Sequence, residues 1–425
     1  MRSAKLLSAT GMLAASVLAL SACAAAEPEA TDVDLRMTIW SANEAHLELF
    51  NGIADAYIAE NPNVNSITFE TLPFDGYTTT LTTQIAGGDA PDLAWIFENT
   101  APDFVLSEAL VDLSDTFSAT DGYEFDDISP AASQLWLRDG GLRAYPFSTS
   151  PFVMFANDDI LAAAGYPRAA DLQAAGDWNW DTIAAIGADV SASTGDAGFV
   201  IRDFEYTNWR FLSTIWKGWG ASPWSADQTT CEFDSPEMVD AMTFIHNAAL
   251  NTGAMPGPGT TADFFAGEAA FTVTQISRAG LLAEAGFEWN LLPLPAGPAG
   301  DYSVVGQAGI GVIAQGENPE VAADFLAYFS NPSNSVSLAQ FFPPPRESIL
   351  NAETLSAANP VLSVEQLKSV VVPAITTGEV QPAIRDSARV EQAVRVALDA
   401  MWVADADVPS VLASVCEAIN PLLVD

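Results

Sequence analysis

The first part of the chain alternates between strand-like and helix-like runs of apolar residues. Residues 35–40 alternate apolar and polar side chains, which predicts a strand, and residues 46–60 place apolar side chains at helical spacing. Asn61-Pro62 is expected to stop that helix. Strand, helix and strand patterns follow at residues 64–72, 77–86 and 92–97. This βαβ order predicts a parallel sheet covered by helices.

A second set of the same patterns occurs later in the chain. Residues 153–156 and 199–202 resemble strands, and residues 180–192 have helical spacing. Two stretches rich in Gly and Pro, at 253–260 and 295–300, are predicted to be loops. Because 425 residues exceed the usual size of one hydrophobic core, we predict two α/β lobes.

The N-terminal segment has the pattern of a secretory signal peptide. Two basic residues precede a nearly apolar run at 6–20, which is too short to span a bilayer. Residues 20–23, Leu-Ser-Ala-Cys, resemble the bacterial lipobox, in which the cysteine becomes the lipid-bearing first residue of the mature chain. We expect residues 1–22 to be removed, Cys23 to carry lipid, and residues 23–34 to form a tether. The alternative is an ordinary cleaved signal with an incidental cysteine.

Lipid on Cys23 would hold the mature protein at the extracellular face of the cytoplasmic membrane. No later run reaches about 18 apolar residues, so we predict membrane contact through the lipid only. The chain has 55 acidic and 15 basic residues and a net charge of −40, which would repel nucleic acid. The acidic residues are scattered and form no D-x-D-x-D-G loop, which favours a solubilising surface over a calcium site.

Sequence motifs of common catalytic sites are missing. The chain has two histidines, His46 and His246, and lacks H-E-x-x-H, C-x-x-C, G-x-S-x-G and P-loop patterns. G-x-G-x-x-A occurs at 257–262 and 309–314, but the second match continues an apolar strand instead of opening a helix. We therefore predict no enzyme, no cofactor and no metal site.

Cysteines and tryptophans leave two questions open. If Cys23 carries lipid, Cys231 and Cys416 remain, and an even number in an oxidising compartment favours a disulfide over two buried thiols. Tryptophan is abundant in one part of the second predicted lobe, where an indole ring could stack on a sugar. Packing is favoured over ligand contact for each of the residues concerned, Trp178, Trp180, Trp209, Trp216, Trp219 and Trp224.

Four stretches together resemble a known family. They read FNGIADAYIAENPNVNSITFETLP (50–73), IAGGDAPDL (85–93), FFAGEAAF with LLPLPAGP (264–271 and 291–298), and NPEVAADFLAYFSNPSNSVSLAQFF (318–342). In this order, behind a lipobox, they resemble the extracellular solute-binding proteins of sugar ABC importers, the group related to maltose-binding protein. The similarity runs from about residue 35 to residue 423.

The resemblance implies a two-lobe periplasmic-binding-protein-like fold of type II, each lobe a sheet flanked by helices and joined to the other by hinge crossings. Lobe 1 is predicted to comprise residues 35–148 and 306–345, and lobe 2 residues 149–305 and 346–425. The implied function is capture of a mono- or oligosaccharide between the lobes and its delivery to the permease subunits of an ABC transporter. The implied position of Cys231 and Cys416 is within lobe 2.

The resemblance also implies which residues face the ligand. They follow the strand ends and the hinge crossings, and Gln275 with its neighbours follows a predicted FFAGEAAF helix. The candidates are Ser41, Asn43, Glu44, Trp95, Glu98, Asn99, Ser150, Tyr206, Asn208, Trp209, Gln275, Ser277, Arg278, Gly306, Gln307 and Arg346.

Two departures from the family argue against maltose itself. Ser277 with Arg278, and residues 388–391, replace the stacking aromatics of the maltose-binding relatives. Exposed arginines would suit an anionic or densely hydroxylated sugar. Three alternatives stay open: a carbohydrate-active enzyme with Glu44 and Glu98 as acid and base, a receptor for another solute, and a scaffold protein whose cleft is filled by side chains.

Overall fold

The computed structural model of the protein describes residues 32–423. The predicted signal peptide, Cys23 and most of the tether therefore lie outside the described residues. Within that range, no helix is long and apolar enough to cross a membrane.

The strands form one continuous, mixed sheet and a small separate hairpin. The bounds are β1 Val33–Ile39, β2 Val64–Thr71, β3 Leu93–Phe97, β4 Leu137–Arg138, β5 Gly141–Leu142, β6 Ala144–Asn157, β7 Ala197–Ile201, β8 Ala269–Gln275, β9 Trp289–Leu292, β10 Val304–Val312 and β11 Glu379–Val380. In the large sheet the order is β2-β1-β3-β10-β6-β8-β7; in addition β9 pairs with β6 and β11 with β10, and the hairpin is β4 with β5.

Helices cover the faces of this sheet. The bounds are α1 Glu44–Glu60, α2 Tyr77–Gly87, α3 Ala101–Leu106, α4 Ser114–Ala119, α5 Pro130–Ser133, α6 Asp158–Ala163, α7 Ala169–Ala175, α8 Trp180–Ser193, α9 Ser213–Trp216, α10 Pro236–His246, α11 Pro319–Phe329, α12 Pro332–Leu338, α13 Ala352–Ala358, α14 Val364–Gln366, α15 Val372–Thr377, α16 Ser387–Leu398 and α17 Val408–Ile419.

Local sequence explains the first elements. Asn43 begins α1, because its side chain accepts hydrogen bonds from the amides of Ala45 and His46 at 2.9 and 3.3 Å. Gly88 ends α2 in the left-handed region at φ +80°. Strands β1, β2 and β3 pair in parallel, so the predicted α/β architecture is confirmed.

Two long strands, β6 and β10, carry the chain between the two halves of the molecule. The first part of β6 pairs antiparallel with β10, from Ala144 to Pro151. Its second part, from Phe152 to Asn157, pairs with β8 and β9. Both crossing strands are buried along their whole length, which fixes their register through side chains on both faces.

Buried side chains gather into separate clusters on either side of the crossing. Residues 33–147 and 308–342 contribute one cluster, and we call this half lobe 1. Residues 152–304 and 384–423 contribute the main cluster of the other half, lobe 2. A third cluster from residues 153–291 and 339–371 covers the opposite face of the lobe 2 sheet. The lobe boundaries stay a prediction, which this division supports.

The FFAGEAAF segment is not a helix, and this expectation was wrong. A single 3-10 turn, Phe264–Ala266, ends at Gly267, which has φ +84°. The chain then enters β8, because residues 269–275 are rich in β-branched and aromatic side chains buried on both faces of the sheet.

A disulfide joins Cys231 to Cys416 within lobe 2, with 5.3 Å between the Cα atoms. Cys416 lies on α17, so the bond fastens the C-terminal helix to the body of this lobe. The lobe 2 tryptophans mainly pack: five of the six have exposed fractions of 7% or less, and the sixth, Trp219, packs half-buried against the same cluster.

Candidate functional site

The two lobes meet at the carboxyl ends of their parallel strands. In lobe 1, β1 and β3 end at Ile39 and Phe97, and in lobe 2, β7 and β8 end at Ile201 and Gln275. Loops at this edge of an α/β sheet commonly hold ligands. In this structure the loop after β3 contacts the loop after β7 directly, which defines a cleft between the lobes.

Aromatic side chains cluster in lobe 1 at the sheet edge that borders the cleft, and we call Trp40, Phe74 and Phe97 the aromatic wall. Trp40, which follows β1, stacks on Phe97 at the end of β3, with 4.0 Å between ring centroids. Phe74 packs edge-on against both rings and is 51% exposed. A flat apolar surface of this kind suits the C–H face of a sugar ring.

Four polar side chains connect the lobes across the cleft. Arg210 of lobe 2 lies 3.7 Å from the Glu98 carboxylate of lobe 1 and 3.0 Å from the Glu391 carboxylate on α16. Asn99 of lobe 1 donates a hydrogen bond of 2.6 Å from its Nδ2 to Glu391 Oε1. The Oδ1 of Asn99 is buried without a hydrogen-bond partner among the described residues. This group, Glu98, Asn99, Arg210 and Glu391, is the inter-lobe network.

The Glu98 carboxylate of this network is buried. Burial raises the pKa of Glu98, Arg210 opposes this effect, and the nearby Glu391 carboxylate raises the pKa further. Two carboxylates thus share one guanidinium, and the inter-lobe network has one negative charge in excess when both are ionised.

Two of the predicted residues after β1 stabilise the start of helix α1 at the edge of the cleft. Ser41 Oγ lies 2.7 Å from His46 Nδ1, and Asn43 caps α1. Glu44 is exposed at the start of the same helix. Burial lowers the pKa of His46 to about 4, and the positive charge of Arg278 in lobe 2 acts in the same direction. His46 is therefore neutral near neutral pH.

The loop after β7 has an unusual backbone. Asp203, Glu205 and Tyr206 have φ values of 61°, 43° and 59°, in the left-handed region that non-glycine residues rarely adopt. The side chain of Asn208 supports this turn by donating to the Asp203 carbonyl at 2.8 Å, and the Tyr206 hydroxyl donates to the Pro256 carbonyl. The loop thereby places Arg210 in the cleft.

Asp203 also pairs with two of the arginines near the cleft. Arg278 Nη2 lies 3.6 Å from Asp203 Oδ2, and Arg202 Nε lies 3.8 Å from Asp203 Oδ1. Arg202 has a second carboxylate partner, Asp263, at 3.7 Å. Arg278, one of the predicted ligand-binding residues, is therefore near the cleft, but its positive charge is already paired with Asp203.

At the crossing strands, neighbouring residues face opposite sides. Ser150 Oγ accepts a hydrogen bond from the Ser277 amide at 3.2 Å, and the Gln275 side chain lies against Gly306. Gln307 faces the other way, because successive residues of a strand alternate. It accepts a hydrogen bond from Trp136 Nε1 at 3.3 Å and lines a cavity of about 250 Å³ behind the crossing.

Four of the candidate residues do not face the cleft, and their assignment is corrected. Gln307 is one of them, because it lines the cavity behind the crossing strands. Arg346 is fully buried in lobe 1, where it donates to the carbonyls of Ser330 and Glu124 and lies over the Tyr123 ring. Trp209 packs in the lobe 2 core against Trp216. Trp95 is 1% exposed and stacks on Phe147 in lobe 1, with 4.6 Å between ring centroids.

Two members of the inter-lobe network were missed from the sequence. Arg210 directly follows the candidate residue Trp209, and Glu391 lies in residues 388–391, which the sequence marked only as a departure from the maltose-binding relatives. Asn99 and Glu391 are 292 positions apart, and no local pattern indicates that they meet. Within residues 32–423, no group of three or more His, Cys, Asp or Glu side chains could hold a metal ion.

Replacing Glu98 by Gln is expected to raise the melting temperature near neutral pH. A raised carboxyl pKa means that stability is fully present below the unfolded pKa and is lost as pH rises through the folded pKa. Gln keeps the shape without the charge, so the difference from the parent should shrink toward pH about 4. Thermal melts across this range give the test, with Glu44→Gln as the exposed control. A variant less stable than the parent at neutral pH would show that pairing with Arg210 outweighs burial.

Comparison with known proteins agrees with this architecture. Residues 52–361 match a family model described as bacterial extracellular solute-binding protein. A binding protein of Brucella abortus is 26% identical over 315 residues, covering 70% of each chain. An uncharacterized lipoprotein of Streptomyces antibioticus is 24% identical over 345 residues, covering 77% of this chain and 73% of the relative.

Solved structures share the fold across nearly the whole chain. An ABC substrate-binding protein from Listeria monocytogenes, in complex with cycloalternan, has a TM-score of 0.79 at 22% sequence identity. The alignment covers 92% of this chain and 99% of the Listeria chain. Because the family model spans well over half of the sequence, the chain belongs to the bacterial extracellular solute-binding proteins.

Proposed function

We propose that the protein captures an uncharged mono- or oligosaccharide in the cleft and delivers it to the permease of an ABC importer. The observation that carries this proposal is the partly exposed aromatic wall of lobe 1, Trp40, Phe74 and Phe97, at the same sheet edge where Arg210 of lobe 2 reaches Glu98. A sugar needs hydrogen-bond partners for most of its hydroxyls when it loses water, and two facing loops provide them together. The Listeria structure with bound cycloalternan supports the same ligand class.

The charges near the cleft favour an uncharged saccharide over an anionic one. Arg202 and Arg278 pair with Asp203, and Arg210 pairs with two carboxylates. No arginine of this group is left to neutralise a uronate or phosphate, and the net charge of the chain is −40. Of the two sugar classes suggested by the sequence, the densely hydroxylated one is the better fit.

Delivery from the membrane surface completes the proposal. The lipobox-like residues before Cys23 and the similarity to a Streptomyces lipoprotein support a lipid anchor at the extracellular face of the membrane. Closure of two lobes on a ligand would give a permease one shape to recognise, because the ligand favours that arrangement through its higher affinity for it.

A thermal-shift screen tests the ligand class. Neutral oligosaccharides should raise the melting temperature, whereas matched uronate-containing saccharides should not. A ligand held at a hundred times its Kd is expected to stabilise the fold by about 2.7 kcal/mol. A response to peptides, polyamines or metal ions, with none to saccharides, would assign the protein to another solute class. A stronger response to uronates than to neutral sugars would overturn the charge argument alone.

A further inference from the structure

One carboxylate of lobe 1 binds the start of a helix in lobe 2. Asp103 lies in the first turn of α3, and its Oδ1 accepts a hydrogen bond of 2.7 Å from the Asp386 amide. Its Oδ2 accepts two more from Ser387, from the amide at 3.1 Å and from the hydroxyl at 2.8 Å. All three bonds cross the cleft, because α3 packs in the lobe 1 core and α16 in the lobe 2 core.

Helix α16 has no cap from its own lobe. Asp386 occupies the capping position with φ +53° and makes no capping hydrogen bond, and its carboxylate pairs with Arg389 instead. The first amides of a helix need acceptors from outside the helix, and a negative charge there also interacts favourably with the helix dipole. Asp103 is thus the capping group of α16, supplied by the other lobe.

The same two segments also carry half of the inter-lobe network. Asn99 lies four residues before Asp103, and Glu391 lies four residues after Ser387, one helical turn along α16. Bonds from Asp103 to the start of α16 therefore align Glu391 with Asn99. We propose that Asp103 raises the closed population of the protein in solution by capping α16 across the cleft, whichever solute the protein binds.

This role follows from the difference between the two arrangements of the lobes. When the lobes touch, the Asp103 carboxylate accepts three hydrogen bonds, and a charged acceptor makes such bonds stronger. When the lobes separate, water replaces all three and α16 starts without a fixed acceptor. Even a modest net free energy from each of these hydrogen bonds would change the ratio of closed to open molecules about tenfold or more. Asp103 is a positioning residue and acts through lobe closure.

Small-angle scattering and hydrogen exchange on the purified protein test this proposal without any added solute. Asp103→Ala is expected to increase the radius of gyration and to speed amide exchange in residues 386–391. Exchange in α17, in the same lobe, should stay as in the parent. Asp115→Ala is the matched control, since Asp115 also lies in the first turn of a lobe 1 helix and is exposed.

The outcomes separate the proposal from its rivals. An unchanged radius of gyration and unchanged exchange at residues 386–391 would show that Asp103 does not favour closure. Faster exchange throughout both lobes would assign Asp103 to general fold stability and would also overturn the proposal. Because no saccharide is used, failure here leaves the proposed ligand class untouched, and failure of the saccharide screen leaves this test valid.

Discussion

Replacing Arg210 by Met is expected to weaken saccharide binding by about a hundredfold. The Arg210 side chain is 17% exposed and lies between Glu98, at 9%, and Glu391, at 31%. Without the guanidinium, closing the lobes would bring two carboxylates together with no positive charge between them. Removing one partner of a buried ion pair costs about 3 kcal/mol at the lower end of the usual range, which corresponds to this loss of affinity.

Calorimetric titration with a saccharide found by thermal shift would measure the effect of Arg210→Met. The matched control is Arg168→Met, because Arg168 is 67% exposed and pairs with Asp171 of the adjoining helix α7. Adding Glu391→Gln to Arg210→Met should restore part of the affinity, since it removes one of the two like charges. Unchanged affinity in Arg210→Met would mean that the inter-lobe network does not form in the bound protein.

Removing the disulfide is expected to destabilise the protein strongly while leaving its affinity nearly unchanged. The bond between Cys231 and Cys416 closes a loop with a sequence separation of 185. Loop-closure entropy for this length gives an upper bound of about 5 kcal/mol. Both cysteines belong to the lobe 2 core, and the bond does not link the lobes, so closure on a ligand is unaffected.

The test measures the melting temperature and the saccharide Kd of the Cys231→Ala, Cys416→Ala double variant and compares them with those of the oxidised parent. The parent treated with reductant serves as a second form without the bond. A fall in affinity as large as the fall in stability would show that the disulfide holds the cleft loops as well as the core. An unchanged melting temperature would show that the loop entropy contributes little.

The first α/β units could be predicted from sequence because their signals are local. Helix α1 was expected at residues 46–60 and spans Glu44–Glu60, and β2 was expected at 64–72 and spans Val64–Thr71. In each case the apolar periodicity lies within the element, and the Asn or Pro that stops it follows within a few residues. The helix predicted for FFAGEAAF was wrong, because an apolar run of this length fits a short turn followed by a buried strand as well as it fits a helix.

The site could be predicted only in part, because its groups come from distant parts of the chain. The resemblance selected Glu98 and Asn99 as ligand contacts, which stays a prediction; the structure places both in the inter-lobe network. It also selected Arg346, whose guanidinium is held by carbonyls inside lobe 1. Nothing in a local pattern distinguishes an arginine that faces a cleft from one that binds backbone carbonyls in a core. The contact of Asp103 with α16 likewise depends on how β6 and β10 set the two lobes against each other.

A crystal structure of the protein with the saccharide from the thermal-shift screen would show where the ligand binds. The sugar is expected between the lobes, with one ring on the Trp40–Phe97 wall and hydroxyls bonded to members of the inter-lobe network. A saccharide bound to one lobe only, or in the cavity behind the crossing strands at Gln307, would contradict this expectation.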